Sequence, residues 1–291
     1  MAKQPKRSAS PQLSGGSPTK RAKLSTLPSE EEFSLTSVMA NVKKAAVEHA
    51  HLSEAVVSKL FDKDASVSYL TTDHRSWIYH VPRWYWHVFE HAKPEELQAT
   101  ATCSPVTWST MFKQAWEAHP KEHDTIMMFG KPTKIPRFQL LCGEMPSYRY
   151  SGKTFEAQKR FPQGLEHAVQ HMRRMVEDSV TQQTRLSGGL VNWYENGNHY
   201  IGPHADDERD MMACSPIVAL SLGATRRFVL TKKTSKSAPQ GDGAVTRLEL
   251  QMEDGDLTIM GGTTQRTHKH AVPKMARCRE PRISITLRCF H

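Results

Sequence analysis

Two side chains with metal-binding potential stand one residue apart in the second half of the chain. They are His204 and Asp206, at the end of the stretch LVNWYENGNHYIGPHAD that begins at Leu190. In an extended strand residues i and i+2 point to the same face, so an imidazole and a carboxylate can be presented side by side. A second histidine arrives far downstream in Thr267-His268-Lys269-His270, and Arg282 and Arg288 follow it. Two histidines and one carboxylate on one face of a metal, with the remaining positions open, is a ligand set suited to oxygen chemistry on iron(II). In a chain with 15 histidines an H-x-D pair decides little by itself. Parity also leaves His268 and His270 equally placed, because they share a face.

The last strand signal adds a second kind of site. Arg282, Ser284, Thr286 and Arg288 alternate with Ile283, Ile285, Leu287 and Cys289. The apolar set must face a packed layer. The polar set then faces either solvent at a sheet edge or an interior, and an interior would demand anions for two guanidinium groups. A small dicarboxylate meets that demand, since arginine grips a carboxylate with two parallel hydrogen bonds.

The elements that must position these groups are mostly strands. After Ser187-Gly188-Gly189, alternation at Leu190–Tyr194 puts Asn192 and Tyr194 on one face, and Asn196-Gly197 signals a tight turn. Apolar or alternating runs follow at 217–222, 226–230, 245–250 and 257–260, each bounded by Gly, Asp, Pro or Ser. About seven short strands at this spacing predict a β-sandwich or jelly roll. Upstream, Leu165, Ala168, Val169, Met172, Met175 and Val176 mark an amphipathic helix that covers one face of a sheet. Three- and four-residue spacing over 35–61 predicts helix with a break near His51. Thr107 or Ser109 caps a short helix with Met111, Phe112, Ala115 and Trp116 inward. The aromatic patch from Trp77 to Phe89 reads as a packed satellite core, with base stacking as its other use. The segment 126–137 sets an apolar Met128-Phe129 tip beside Lys131, Lys134, Arg137 and two prolines, as in an exposed hairpin or loop. Tyr148 and Tyr150 share a face if their segment is a strand.

The chain has 291 residues, enough for one large domain or two small ones with a proper core. Its five cysteines are scattered and form no C-x-x-C pair, so neither a zinc knuckle nor a disulfide framework is indicated, and a reducing compartment fits best. No apolar run reaches membrane-spanning length. The formal charge is +9, and most of it sits in residues 1–24, which hold Lys3, Lys6, Arg7, Lys20, Arg21 and Lys23 and no acid. Residues 1–32 are rich in Ser, Pro, Gly and Lys and are expected to be disordered. Lys6-Arg7 and Lys20-Arg21-Ala22-Lys23 resemble a two-part nuclear import signal, and the excess charge suits nucleic acid as a partner. The expected division is a basic tail over 1–32, a helical and aromatic extension over 33–110, and a catalytic domain over 111–291.

Seven segments taken together resemble the AlkB family of iron(II)- and 2-oxoglutarate-dependent dioxygenases, most closely its duplex-DNA-repair members of the AlkB homologue 2 type. They are FGKPTKIPR, SYRYSG, NWYENGNHYIGPHADDE, SPIVALSLGATRRFVL, DGDLTIM, HKHAVP and PRISITLR, spanning about Phe129 to Phe290. The resemblance implies a mostly β fold with flanking helices (α+β): a double-stranded β-helix, or jelly roll, with an N-terminal helical extension. It implies Fe(II) held by His204, Asp206 and His270, since His270 precedes x-V-P and lies twelve residues ahead of Arg282. It assigns 2-oxoglutarate to Asn192, Tyr194, Arg282, Thr286 and Arg288, with Arg282 on the distal carboxylate and Arg288 near the chelating one. His268 is left as a nearby or surface residue. The implied activity is oxidative demethylation of 1-methyladenine and 3-methylcytosine in DNA with O2, releasing succinate, carbon dioxide and formaldehyde. Phe129, Arg137, Tyr148, Tyr150, Asp207 and Glu208 would meet the substrate, the acids holding a cationic flipped base. The implied enzyme is a nuclear monomer that acts on double-stranded DNA. The same chemistry on RNA or on a protein is an alternative. So are a metal-free basic binding module and a zinc hydrolase, although the latter leaves Arg282 and Arg288 without a task.

Overall fold

The computed structural model describes residues 34–48, 52–91, 107–128, 130–144, 148–150, 153–177, 186–208, 210–234 and 243–290. The expectations for the basic tail and for the side chains of Phe129, Tyr148 and Tyr150 lie outside the described residues.

Among the described residues five α-helices lie ahead of the strand that ends at His204. They are α1 (Leu35–Glu48), α2 (Glu54–Ser58), α3 (Trp84–Glu90), α4 (Trp108–Glu117) and α5 (Glu166–Glu177), with a short α6 (Thr264–Thr267) much later. The helical signal over 35–61 divides as its spacing suggested. α1 buries Val38, Val42, Ala45 and Ala46, and α2 starts afresh at Ser53, whose side chain accepts from the Val56 N–H, then runs into a π-helical turn at Lys59–Asp64. α4 is capped by Thr107 rather than Ser109, through the Thr110 N–H.

The major sheet has seven strands, in the order β1 (Ser66–Tyr69), β2 (Ser76–Val81), β13 (Leu257–Gly262), β10 (Ile217–Gly223), β15 (Arg282–Arg288), β8 (Gly188–Tyr194) and β5 (Phe138–Gly143). The minor sheet runs β12 (Arg247–Met252), β11 (Arg226–Lys232), β14 (His268–Val272) and β9 (Ile201–His204). All these pairings are antiparallel. Two hairpins stand apart: β3 (Thr125–Met128) with β4 (Lys131–Lys134), and β6 (Tyr148–Tyr150) with β7 (Lys153–Phe155). The two larger sheets face each other across one cavity, to which β8, β10, β13 and β15 contribute from one side and β9, β11, β12 and β14 from the other. The fold is a jelly roll with helices on one outer face, as expected.

Period-two alternation explains how one strand serves two layers. In β15, Ile283, Ile285 and Leu287 are fully buried in the large core with Trp193, Leu220 and Leu222 of neighbouring strands. Leu165, Ala168, Val169 and Met172 of the α5 segment and Met111 and Ala115 of α4 belong to the same cluster. Trp193 Nε1 donates to the Ala115 carbonyl at 2.9 Å, tying that layer to the sheet. The opposite face of β15 looks into the cavity. Because β15 lies between β10 and β8, its polar residues are interior and not a solvated edge.

The aromatic patch is a correction. Trp77, Tyr79, Trp84 and Tyr85 are all buried in the main core and form no satellite. The reason is that β2 is hydrogen-bonded to β13, so residues 66–81 extend the major sheet. Patterning alone could not reveal this, because the pairing spans some 180 residues of chain. Among the described residues, no helix is long and apolar enough to cross a membrane.

Candidate metal and co-substrate site

β9 ends at His204, so Asp206 lies just past the strand and not within it. The two groups still meet: His204 Nε2 is 3.5 Å from Asp206 Oδ1. Gln265, on α6, fastens the stretch, its side-chain oxygen accepting from the Asp206 N–H at 2.9 Å. His204 Nδ1 lies 3.0 Å from the Gly202 carbonyl, which favours the proton on that nitrogen and turns Nε2 toward the carboxylate.

His270 sits directly opposite His204 in the β14–β9 register, with ring centroids 4.2 Å apart. Its Nε2 is 3.8 Å from Asp206 Oδ2. Ligand atoms of His204, Asp206 and His270 all lie within 4.8 Å of one another. These separations are long for hydrogen bonds and suited to donors that share a cation. Burial, with the His204 ring beside it, pushes His270 down to about 3, leaving a neutral imidazole ready to ligate. Burial works against the Asp206 carboxylate, yet Arg288 and the two imidazoles hold it well below the usual carboxylate range. Arg288 Nη2 is 2.9 Å from Asp206 Oδ2.

The tie between His268 and His270 is broken by partners. His268 is 1% exposed, so it is not a surface residue. Its Nε2 meets the Val245 carbonyl at 2.8 Å and its Nδ1 meets Thr267 Oγ1 at 2.9 Å. Both nitrogens are thus engaged away from the triad, and parity could not distinguish this because it sees only faces.

Behind the triad the cavity is lined by Asn192, Tyr194, Arg282, Ser284, Thr286 and Arg288 from the major sheet. Arg282 is 3% exposed, and burial weakens its hold on its proton. Its Nη2 donates to Ser221 Oγ at 2.8 Å and its guanidinium lies 5.1 Å from the Tyr194 ring centre. Among the described residues, Nε and Nη1 of Arg282 are buried without an acceptor. A buried cation with two unanswered donors is costly and calls for an anion. A dicarboxylate fits that deficit, and two imidazoles with a carboxylate fit iron(II); the residues present suit both groups. Asn192 accepts from Arg137 Nε at 2.7 Å.

The expected substrate residues are spread more widely. Arg137 is buried behind Asn192, yet it also lines a groove with Ile135, Pro136, Tyr200, Ile201 and His204 that leads from the β3–β4 hairpin to the triad. Asp207 is exposed and pairs with Lys233 Nζ at 3.2 Å. Glu208 turns inward, its Oε1 4.0 Å from Arg288 Nη1. Met128 pairs with Lys131 at one end of the β3–β4 ladder. Sequence reasoning missed Ser221, Gln265 and Arg226. Ser221 carried a signal, as the one hydroxyl in an apolar strand run; Gln265 on a four-residue helix carried none.

Residues 82–288 match the family model described as the 2OG-Fe(II) oxygenase superfamily. The chain is similar to the human protein named DNA oxidative demethylase ALKBH2, with 34% identity over 165 residues, 56% of this chain and 60% of the relative. It is similar to the Bos taurus protein named Alpha-ketoglutarate-dependent dioxygenase alkB homolog 3, with 35% identity over 187 residues, 62% of this chain and 61% of the relative. An Arabidopsis thaliana protein named DNA oxidative demethylase ALKBH2 is 30% identical over 202 residues, 61% of this chain and 62% of the relative. The chain thus spans about 60% of the length of these curated relatives.

Proposed function

The chain belongs to the 2OG-Fe(II) oxygenase superfamily; from that premise we propose that it is an AlkB-type dioxygenase that uses Fe(II), 2-oxoglutarate and O2, and that it oxidatively demethylates N-alkylated bases of the 1-methyladenine and 3-methylcytosine type in double-stranded DNA. In this reading His204, Asp206 and His270 hold the iron. Arg282 receives the distal carboxylate of 2-oxoglutarate on its free Nε and Nη1 edge, and Asn192, Tyr194, Thr286 and Arg288 complete the co-substrate wall. Bound iron would supply dioxygen activation, by which one oxygen atom would enter 2-oxoglutarate as it loses carbon dioxide and becomes succinate, and the other would enter a methyl C–H bond of the base. The hydroxymethyl product then sheds formaldehyde and leaves the base unmethylated.

The protein's own part is positioning. Arg288 neutralises Asp206 and keeps it oriented, while the apolar wall of Phe228, Ile201, Val272 and Met260 keeps water from the reacting centre. The observation that carries the substrate reading is the groove from the β3–β4 hairpin to His204. It gives a flipped base a path to the metal beside a hairpin bearing Lys131 and Lys134. Phe129, Tyr148 and Tyr150 are proposed to contact the extruded base or the gap it leaves, with Arg137 behind the groove. Glu208 is proposed to meet a cationic base by turning from its place beside Arg288, and Asp207, paired with Lys233, would first have to leave that partner. The import-like clusters near the N-terminus support nuclear residence.

The test is succinate and formaldehyde release on methylated single-strand DNA, duplex DNA and RNA of one sequence, with and without iron and 2-oxoglutarate. Stoichiometric formaldehyde with the methylated duplex is expected. Turnover confined to RNA, or to a protein substrate, would replace the DNA reading while keeping the chemistry.

A further inference from the structure

Arg226 opens β11 and is 1% exposed. Its guanidinium makes hydrogen bonds only to backbone: Nη1 to the Asn196 carbonyl at 3.2 Å, and Nη2 to the carbonyls of His199 at 2.8 Å and Pro273 at 2.9 Å. Among the described residues no carboxylate lies within ion-pair range of it. Its Nε is buried without an acceptor among the described residues, and a buried charge met by carbonyls alone is expensive to keep unless the geometry it imposes is needed.

The three carbonyls belong to two loops. Asn196 and His199 lie between β8 and β9; Pro273 lies between β14 and β15. Those four strands carry His204, His270, Asn192, Tyr194, Arg282 and Arg288, with Asp206 just past β9. The loops are also laced to each other, since Gly197 N–H donates to the Cys278 carbonyl at 2.9 Å and Met275 N–H to the Gly197 carbonyl at 2.8 Å. A Cβ on Gly197 would fall 1.7 Å from the Met275 oxygen, so the loops touch backbone to backbone. Arg226 also faces the Tyr194 ring at 5.5 Å, and Arg282 faces the same ring at 5.1 Å. One ring is thus in reach of both cations: Arg226, whose two Nη atoms are bonded to carbonyls, and Arg282, whose Nε and Nη1 are without an acceptor among the described residues.

We propose that Arg226 is a positioning residue for the co-substrate, clamping the two loops and holding Tyr194 so that the free edge of Arg282 faces the distal carboxylate of 2-oxoglutarate. This rests on the assignment of Arg282 made above. The geometry has two consequences. Loss of the clamp frees Tyr194 and Arg282 together, and loss of charge at Arg226 weakens the field that attracts a dianion. Both act at the far end of the co-substrate and not at the metal.

The experiment measures binding, not turnover. Full-length protein loaded with manganese(II) is titrated by calorimetry with 2-oxoglutarate and with 2-oxobutyrate, which has the chelating end and lacks the distal carboxylate. Arg226→Lys and Arg226→Gln are expected to raise the 2-oxoglutarate Kd at least tenfold, leave the 2-oxobutyrate Kd within twofold, and leave manganese affinity within twofold. Equal weakening of both ligands, or of the metal, would make Arg226 a general structural residue and overturn the proposal. So would failure of both variants to fold, judged by near-ultraviolet circular dichroism. Arg282→Ala is run beside them. If it too binds 2-oxoglutarate normally, the co-substrate assignment is what failed; if it loses affinity while the Arg226 variants do not, only the positioning role falls.

Discussion

At the residue scale the site depends on what each polar atom already has for a partner. His270 and His268 lie on one face of one strand, but His268 spends both ring nitrogens on Val245 and Thr267 while His270 turns Nε2 to Asp206. Alanine at His204, Asp206 or His270 should therefore abolish coupled succinate release. His268→Ala should retain turnover per folded molecule and lose stability, because removing a buried hydrogen-bond partner typically costs about 1–3 kcal/mol. A lower melting temperature with surviving catalysis is the expected pair of readings, and a catalytically dead, fully folded His268→Ala would count against the ligand set. Arg282 poses the reverse case, a buried cation with donors to spare. Arg282→Ala should raise the 2-oxoglutarate requirement by roughly a hundredfold or more, from the loss of about 3–5 kcal/mol that breaking a buried charged pair costs. The DNA requirement should move little, and unchanged co-substrate affinity would remove Arg282 from the site.

At the element scale the β3–β4 hairpin is the part that a duplex would test. It stands outside both larger sheets, with Met127 half exposed and Gly130 at a φ of 76° with open space around it. A positive φ is natural for glycine in a tight turn, and the open surroundings leave room for a partner. Entering a base stack costs on the order of a few kcal/mol per step, which an inserted apolar side chain offsets in part. Phe129→Ala should thus depress activity on a methylated duplex much more than on the same lesion in single-stranded DNA, with a melting temperature near that of the parent. Equal loss on both substrates with a large drop in melting temperature would assign Phe129 to the core.

At the scale of the whole molecule, most of the charge and the candidate site lie far apart in the sequence. The chain carries +9, six of its cations lie within residues 1–24 with no acid, and the jelly roll begins well beyond them. Deleting residues 1–24 should reduce nuclear accumulation, read by microscopy, and leave turnover of short oligonucleotides intact in moderate salt. A strong, salt-dependent loss of turnover would instead make the tail an arm that holds nucleic acid.

Sequence alone was enough for the strand that carries both arginines, for the H-x-D pair, and for the helix faces of α1 and α5, since each is a local period that burial must respect. Parity narrowed the candidate metal ligands to His204, Asp206 and one of two histidines, and the family resemblance pointed to His270. Three things required the tertiary structure, each because it depends on atoms distant in sequence. The polar face of β15 is interior because β8 and β10 flank it. His268 is turned away from the triad because Val245 and Thr267 claim both its ring nitrogens, which supports the choice of His270 that the family resemblance had made. The aromatic residues near Trp77 belong to the main core because β2 pairs with β13, a contact that no local spacing encodes.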